Sequence, residues 1–477
     1  MDNQNNLKSF LTLSYGELES LNHEAKKNQF LLSTKKLQSK YHKYLESEAS
    51  IKAVTICFSD IEGRLHMLDY DKKFFLSSAD NLTFDGSSVR GFSSQSESDL
   101  RLTLDWGSIM WLPADIFGAG KVIMFADVKN RDDSQHGSDF RGILKKYCEK
   151  LATDDLTINV SAEIEGFLVE GVSAEQDFDG KVGFKLISTG GYYHSLPQDR
   201  LRQFIDRCAE VQRALAFENE KDHPEVAPSQ FEMNFSYSHV LRACDQILVY
   251  KLICRQVANL MGLTATFLPK PVMGINGSGM HTNISFSKSG KNIFFDKSGR
   301  DSLSTAAWDV IGKILNHAPE ICLVLNPSVN AYRRLDPHYE APNQIKVSPI
   351  DRGSMIRIPF GNEKSARIEI RSVAPDVNPY LCLFTLIKTG LEGKKLKKDT
   401  QKRDRVRFLP DSLSDAIRLY KSSDFIEKIM GPEAKDKYIS FKEEAEGRSP
   451  KYLGKKVKKS EVIYHHEITN QALWNEF

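Results

Sequence analysis

No C-x-x-C pair occurs anywhere in this chain. Its seven cysteines (Cys57, Cys148, Cys208, Cys244, Cys254, Cys322, Cys382) are scattered and odd in number. That excludes a disulfide frame and a zinc cluster, and fits reduced thiols in the cytosol. A run of roughly eighteen apolar residues is also missing, and the opening MDNQNNLKSF carries no apolar stretch. Neither a membrane-spanning helix nor a secretion signal is expected. Excess charge of one sign is lacking too: 65 Lys and Arg against 63 Asp and Glu leave +2. The total gives no electrostatic case for a nucleic-acid or membrane partner. No G-x-x-x-x-G-K-[ST] is present and no G-x-G-x-x-G follows a strand, which disfavours the P-loop and kinase routes to phosphate binding.

What remains is a 477-residue chain with 40% apolar and 27% charged residues, the balance of a soluble globular protein of two or more domains. Residues 1–49 are proline-free and rich in Lys and Glu, and read as a helical N-terminal extension solvated on most faces. IKAVTICF and RLHMLDY flank the turn SDIEG as a hairpin, and KVIMFADV closes a small, mixed, sheet-rich domain over 50–135. SDFRGILKKYCEKLA (138–152) begins a second domain, 136–477, with a Ser/Asp cap. There SAEIEGFLVE, FEMNFSY, HTNISF and ARIEIRSV read as strands between long helices such as VLRACDQILVYKLICRQVANLMG. The expected class is α+β, an antiparallel sheet with helices outside. The basic run 390–405 reads as a solvated loop.

SAEIEGFLVE (161–170) poses a charge problem. Alternation puts Glu163 and Glu165 on one face of a strand made to pack, about 7 Å apart, and burying either one unpaired is costly. They are not alone. Glu225 and Glu232 flank the next loop and strand, His281 follows a glycine pair, and Arg367, Glu369 and Arg371 share a strand face opposite Ile368 and Ile370. If the sheet joins these faces, five carboxylates and an imidazole converge. Hard oxygen donors with one histidine suit Mg²⁺ or Mn²⁺, two or more ions, and the cations would cancel the repulsion. Arg333, Arg334, Arg352, Arg357, Arg367 and Arg371 crowd the same region. Guanidinium groups grip phosphate or carboxylate, so metal ligands plus arginines suggest phosphoryl transfer from a nucleotide.

These residues sit in stretches that resemble the glutamine synthetase family in its bacterial type I form. The stretches are FDGSSVRGF (84–92), ESD (97–99), SAEIEGF, GGYY (190–193), HPEVAPSQFE (223–232), INGSGMHTNIS (275–285), NPSVNAYRRLDPHYEAP (326–342), DRGSMIRIP (351–359) and ARIEIRSVAPDVNPYL (366–381). The resemblance implies a β-grasp domain before a large catalytic domain with a curved antiparallel sheet. It implies that ATP phosphorylates L-glutamate and that ammonia displaces phosphate from γ-glutamyl phosphate, giving L-glutamine. By position, Glu165, Glu225 and Glu232 would hold one ion and Glu163, His281 and Glu369 another, with His281 also near substrate. Arg352, Arg357 and Arg367 would face the transferring phosphoryl group. Arg334 and Arg371 would hold glutamate carboxylate, with Asn276 and Gly277 at its amino-acid end. Asp85 would take a proton from ammonium in a pocket with Ser88, Tyr192 and Glu225, and Glu340 would be the flap that excludes water. Glu220, Asn283, Ser285 and Lys364 fall at nucleotide positions. The family assembles as a homo-oligomer, a dodecamer of two hexameric rings with active sites between subunits, and is cytoplasmic.

A γ-glutamyl ligase acting on another amine, such as a polyamine, would use the same phosphorylation. The chain also departs from the family pattern. Asn283 stands where many members have a second histidine, Pro224 where a histidine commonly precedes Glu225, and His338 where a glycine precedes the flap. No tyrosine falls within 390–411, so no phenolic acceptor for adenylylation is expected there.

Overall fold

Alternation in AVTICFS and LHMLDYD is realised as the hairpin β1 (Ala53–Ser59) and β2 (Leu65–Asp71). β3 (Leu82–Asp85), β4 (Asp99–Leu104), β5 (Met110–Trp111) and β6 (Val122–Lys129) complete the first sheet, in the order β2-β1-β6-β4-β3 with β5 on β6. β1 and β6 run parallel while the other pairs are antiparallel, so the sheet is mixed. This is a computed structural model, and it describes residues 13–94, 98–118, 120–194, 199–395 and 406–447.

The second sheet contains β7 (Leu156–Glu170), β8 (Asn219–Pro224), β9 (Gln230–Phe235), β10 (Ser238–His239), β11 (Leu263–Thr266), β12 (Met280–Lys288), β13 (Lys291–Asn292), β14 (Gln344–Ser348), β15 (Ser354–Arg357) and β16 (Ile368–Ile370). Its main path is β14-β15-β16-β12-β7-β9-β8. One pair corrects the all-antiparallel expectation: β14 and β15 are parallel. Residues 349–353 double back between them, and Arg352 on that return lines the same cavity as Glu163 and His281. ARIEIRSV also yields a shorter strand than expected, with Arg367 and Arg371 flanking β16.

The helices cover the sheet. Val240–Leu260 is buried nearly all round, which its apolar, weakly amphipathic sequence requires. Phe140–Ala152 starts at Asp139, whose carboxylate accepts from Gly142 N–H at 3.2 Å, as the Ser/Asp cap predicts. No helix among the described residues is long and apolar enough to cross a membrane. Much of the basic run 390–405 lies outside the described residues.

The extension forms two helices, Tyr15–Leu31 and Thr34–Ser47. Each buries one stripe, Leu18/Asn22/Ala25 and Leu37/Tyr41/Leu45. Asn22 explains the docking. Its side-chain amide donates to Trp111 O and Ala214 O and accepts from Trp111 N–H, so one residue ties the extension to both domains.

A second tie joins the two sheets' domains. Arg141 is fully buried and donates to Asp127 at 2.7 Å, to Asp105 at 2.9 Å and bidentately to Asp245 at 2.9 Å. Tyr380 donates to the same Asp245 at 2.6 Å.

Candidate active site

Strand register alone builds the site. Across the second sheet, Arg357 opposes Glu369, Glu369 opposes Asn283, His281 opposes Glu163, Glu165 opposes Glu232, and Glu232 opposes His223. A band of charge therefore crosses β15, β16, β12, β7, β9 and β8 on one face, while Ile164, Ile284, Ile368 and Ile370 are buried in the core. The band lines a cavity of about 230 Å³.

Two groups of ligand atoms form within it. Glu163, His281 and Glu369 bring ligand atoms within 4.8 Å of one another, as do His223, Glu225 and Glu232. The first group is the set expected from the resemblance. In the second, His223 stands where Glu165 was expected. Glu165 lies between the groups: one oxygen accepts from Gly279 N–H at 2.8 Å and Gln230 Nε2 at 3.2 Å, and the other is 3.8 Å from His281. His223 is not among the residues expected from the sequence, although it is two residues from Glu225 and so shares its face.

The charge balance favours added cations. Burial and the neighbouring Glu165 push Glu225 up to about 8, and the same causes hold Glu232 well above the carboxylate range. Burial opposes ionisation of Glu163 as well, but His281, Asn283 and Arg367 hold it down at about 2. Burial lowers His223, which favours the neutral, ligating imidazole. Burial and mutual repulsion thus disfavour the charged forms of Glu225 and Glu232, and cations would relieve both. The band's oxygen-rich donor set with two imidazoles fits divalent ions.

Glu369 is completely buried, accepting from Arg357 at 2.5 Å and Arg371 at 2.7 Å. Arg334, also buried, donates to the carbonyls of Arg371 (3.0 Å) and Val373 (3.2 Å). Burial, only partly offset by Glu165, brings its pKa down to about 10. Glycine is required beside it: a Cβ on Gly279 would sit 2.4 Å from the guanidinium, and one on Gly277 2.4 Å from Pro269 O. This explains the G-S-G spacing before His281.

Glu340 lies at the rim with a left-handed backbone (φ 61°), accepting from Asn276 Nδ2 at 3.3 Å, with Arg352 at 3.8 Å. The left-handed residue is Glu340 itself. His338 is not among the positive-φ residues, so the His338 departure costs no backbone strain. Tyr192 and Tyr193 stack at the mouth with hydroxyls 2.8 Å apart and both rings edge-on to His223.

Next to this cavity is a second of about 250 Å³, lined by Glu220, Asn283, Ser285 and Lys364 and sharing Glu163 and Arg367 with the first. The expected nucleotide-side residues are thus gathered beside the carboxylates. Asp85 and Ser88 are not. They sit at the end of β3 in the first domain, hydrogen-bonded to each other at 2.6 Å, and line neither cavity. A larger cleft of about 410 Å³, with Arg64, Lys251 and Arg255, contains none of the expected residues.

The chain is similar in sequence and in fold to known proteins. Residues 137–456 match the family Glutamine synthetase, catalytic domain, and residues 50–131 match Glutamine synthetase, beta-Grasp domain. The chain is 34% identical over 415 residues to a glutamine synthetase of Methanosarcina mazei, covering 83% of this chain and 91% of that one. It is 32% identical over 418 residues to one of Clostridium saccharobutylicum, covering 83% and 92%. Among solved structures, Plasmodium falciparum glutamine synthetase superposes with a TM-score of 0.77 at 21% identity, over 90% of this chain and 98% of that one, a likeness of fold.

Proposed function

Because this chain belongs to the glutamine synthetase family, we propose that its carboxylate band is the phosphoryl-transfer half of a glutamate–ammonia ligase site, completed by the Asp85 loop of a second copy. The enzyme uses ATP to ligate ammonia to the γ-carboxylate of L-glutamate through γ-glutamyl phosphate, releasing L-glutamine, ADP and phosphate. Among the described residues, nothing in the site favours a larger amine.

The observation that carries the reading is the register band, because it brings carboxylates, imidazoles and arginines together beside a second cavity of about 250 Å³. Glu163, His281 and Glu369 on one side, and Glu165, His223, Glu225 and Glu232 on the other, would hold Mg²⁺ or Mn²⁺, which when bound neutralises phosphate charge. Arg352, Arg357 and Arg367 face the phosphoryl oxygens, and Arg334 and Arg371 hold glutamate carboxylate. Asn276 and Gly277 meet the amino-acid end. Glu220, Asn283, Ser285 and Lys364 surround the nucleotide. Glu340 closes the mouth against water.

Asp85 would take the proton from ammonium, with Ser88, Tyr192 and Glu225 around it. Its place outside the cavity supports a site shared between subunits of a homo-oligomer, a double-ring dodecamer of the bacterial type I kind. A cytoplasmic location agrees with seven buried, free cysteines.

Subunit mixing tests this. Asp85→Ala and Glu369→Ala chains are each inactive alone. Dissociated and reassembled together, they regain glutamine formation at about a quarter of the sites, since a complete site then draws its two halves from different chains. No recovery in verified mixed oligomers would refute the shared site.

A further inference from the structure

Lys270 is 2% exposed, a rare place for a lysine, and it touches both sides of the cavity mouth. Its backbone is fixed: Lys270 N–H donates to Asn330 Oδ1 at 2.6 Å, and Asn330 Nδ2 donates back to Lys270 O at 3.0 Å. Its ammonium donates to the carbonyl of Ile275, the residue before Asn276. The same ammonium lies 3.8 Å from the centroid of the Tyr339 ring, the residue before Glu340. Asn276 and Glu340 then bond each other at 3.3 Å. One buried cation therefore grips the two neighbours of the two residues that meet across the mouth. Gly277 fits the arrangement, since a Cβ there would come within 3.3 Å of the Lys270 side chain.

We propose that Lys270 is a positioning residue that clamps the Glu340 flap against the Asn276–Gly277 loop, and so protects the acyl phosphate from water. The proposal rests on the reading of Glu340 as the flap. The chemistry needs a cation with a spare donor: the ring face attracts the charge while one N–H serves Ile275 O. The clamp also offsets the left-handed backbone of Glu340, which a non-glycine residue adopts only when its surroundings hold it.

The test measures coupling. ATP consumed and glutamine formed are assayed separately, with and without ammonium. Lys270→Met keeps the apolar stem and removes the charge. It should raise glutamate-dependent ATP hydrolysis without glutamine formation by about fivefold. Lys270→Arg, which keeps a cation over the ring, should restore most of the coupling. A merely structural lysine would lower both rates together and leave their ratio unchanged. If Lys270→Met fails to fold, Tyr339→Leu carries the test, since it removes the ring and keeps the Ile275 contact. Glu340→Ala checks the underlying reading. If it stays coupled, the flap assignment fails; if it uncouples while Lys270→Met and Tyr339→Leu stay at one ATP per glutamine, the clamp is refuted.

Discussion

Glu163→Ala abolishes glutamine formation, by about a thousandfold or more, and leaves the subunit folded. The side chain is partly exposed and faces His281 at 3.5 Å, with Asn283 donating to it at 3.0 Å. Its charge also helps to raise Glu225 and Glu232, so removing it relieves repulsion among the remaining carboxylates. Ion binding suffers while apo stability holds. Glu369→Ala is equally inactive but less stable, because Arg357 and Arg371 lose the carboxylate that pairs them. Activity and thermal unfolding of the two variants separate these effects. Near-normal activity in Glu163→Ala would contradict the assignment of the first ligand group.

Arg141→Met lowers stability by about 3–5 kcal/mol at neutral pH, because it strands buried carboxylates between the domains. Three aspartates share that guanidinium, and Lys145 reaches only Asp105 (3.5 Å) and Asp127 (3.1 Å). Burial opposes ionisation of Asp105, but Arg141 and Lys145 hold its pKa down at about 2. A depressed carboxylate contributes stability above its ordinary value near 3.8, and that stability is lost as pH falls through about 2. The variant lacks most of this term, and its stranded carboxylates can take protons as pH falls. Its deficit should therefore be largest above about pH 5 and shrink toward acid. Denaturant unfolding of wild type and variant at several pH values gives the comparison. Equal stability at neutral pH would show that the network is not what joins the domains.

How far the sequence could be read follows from the kind of signal each residue leaves. Glu163, Glu165, Glu232 and Glu369 were legible because charge on a period-2 apolar strand is conspicuous, and strand pairing then brings such residues together. The hairpin β1–β2 was legible from alternation, and the buried helix Val240–Leu260 from a long, proline-free apolar stretch. His223 was not, because it lies in the polar strand NEKDHP, where a histidine does not stand out against an apolar pattern. Parallel pairing of β14 and β15 leaves no local mark, since it depends on how residues 349–353 turn back. Arg141 reads as a helix-surface residue until the first domain packs over it, and Lys270 looks like an ordinary loop lysine. The extension's docking includes Asn22, a polar residue whose three hydrogen bonds go to Trp111 and Ala214, both distant in sequence.

At this band ATP phosphorylates glutamate so that ammonia can displace phosphate. The most direct measurement supplies L-glutamate labelled with ¹⁸O in its γ-carboxylate, together with ATP, Mg²⁺ and ammonium, and reads the released phosphate by mass. Phosphorylation leaves one carboxylate oxygen bridging carbon and phosphorus, and ammonia's attack at carbon sends that oxygen out with phosphate. Each released phosphate should carry one ¹⁸O, in step with glutamine formed. Unlabelled phosphate, or label that appears only when an alkylamine replaces ammonium, would contradict it.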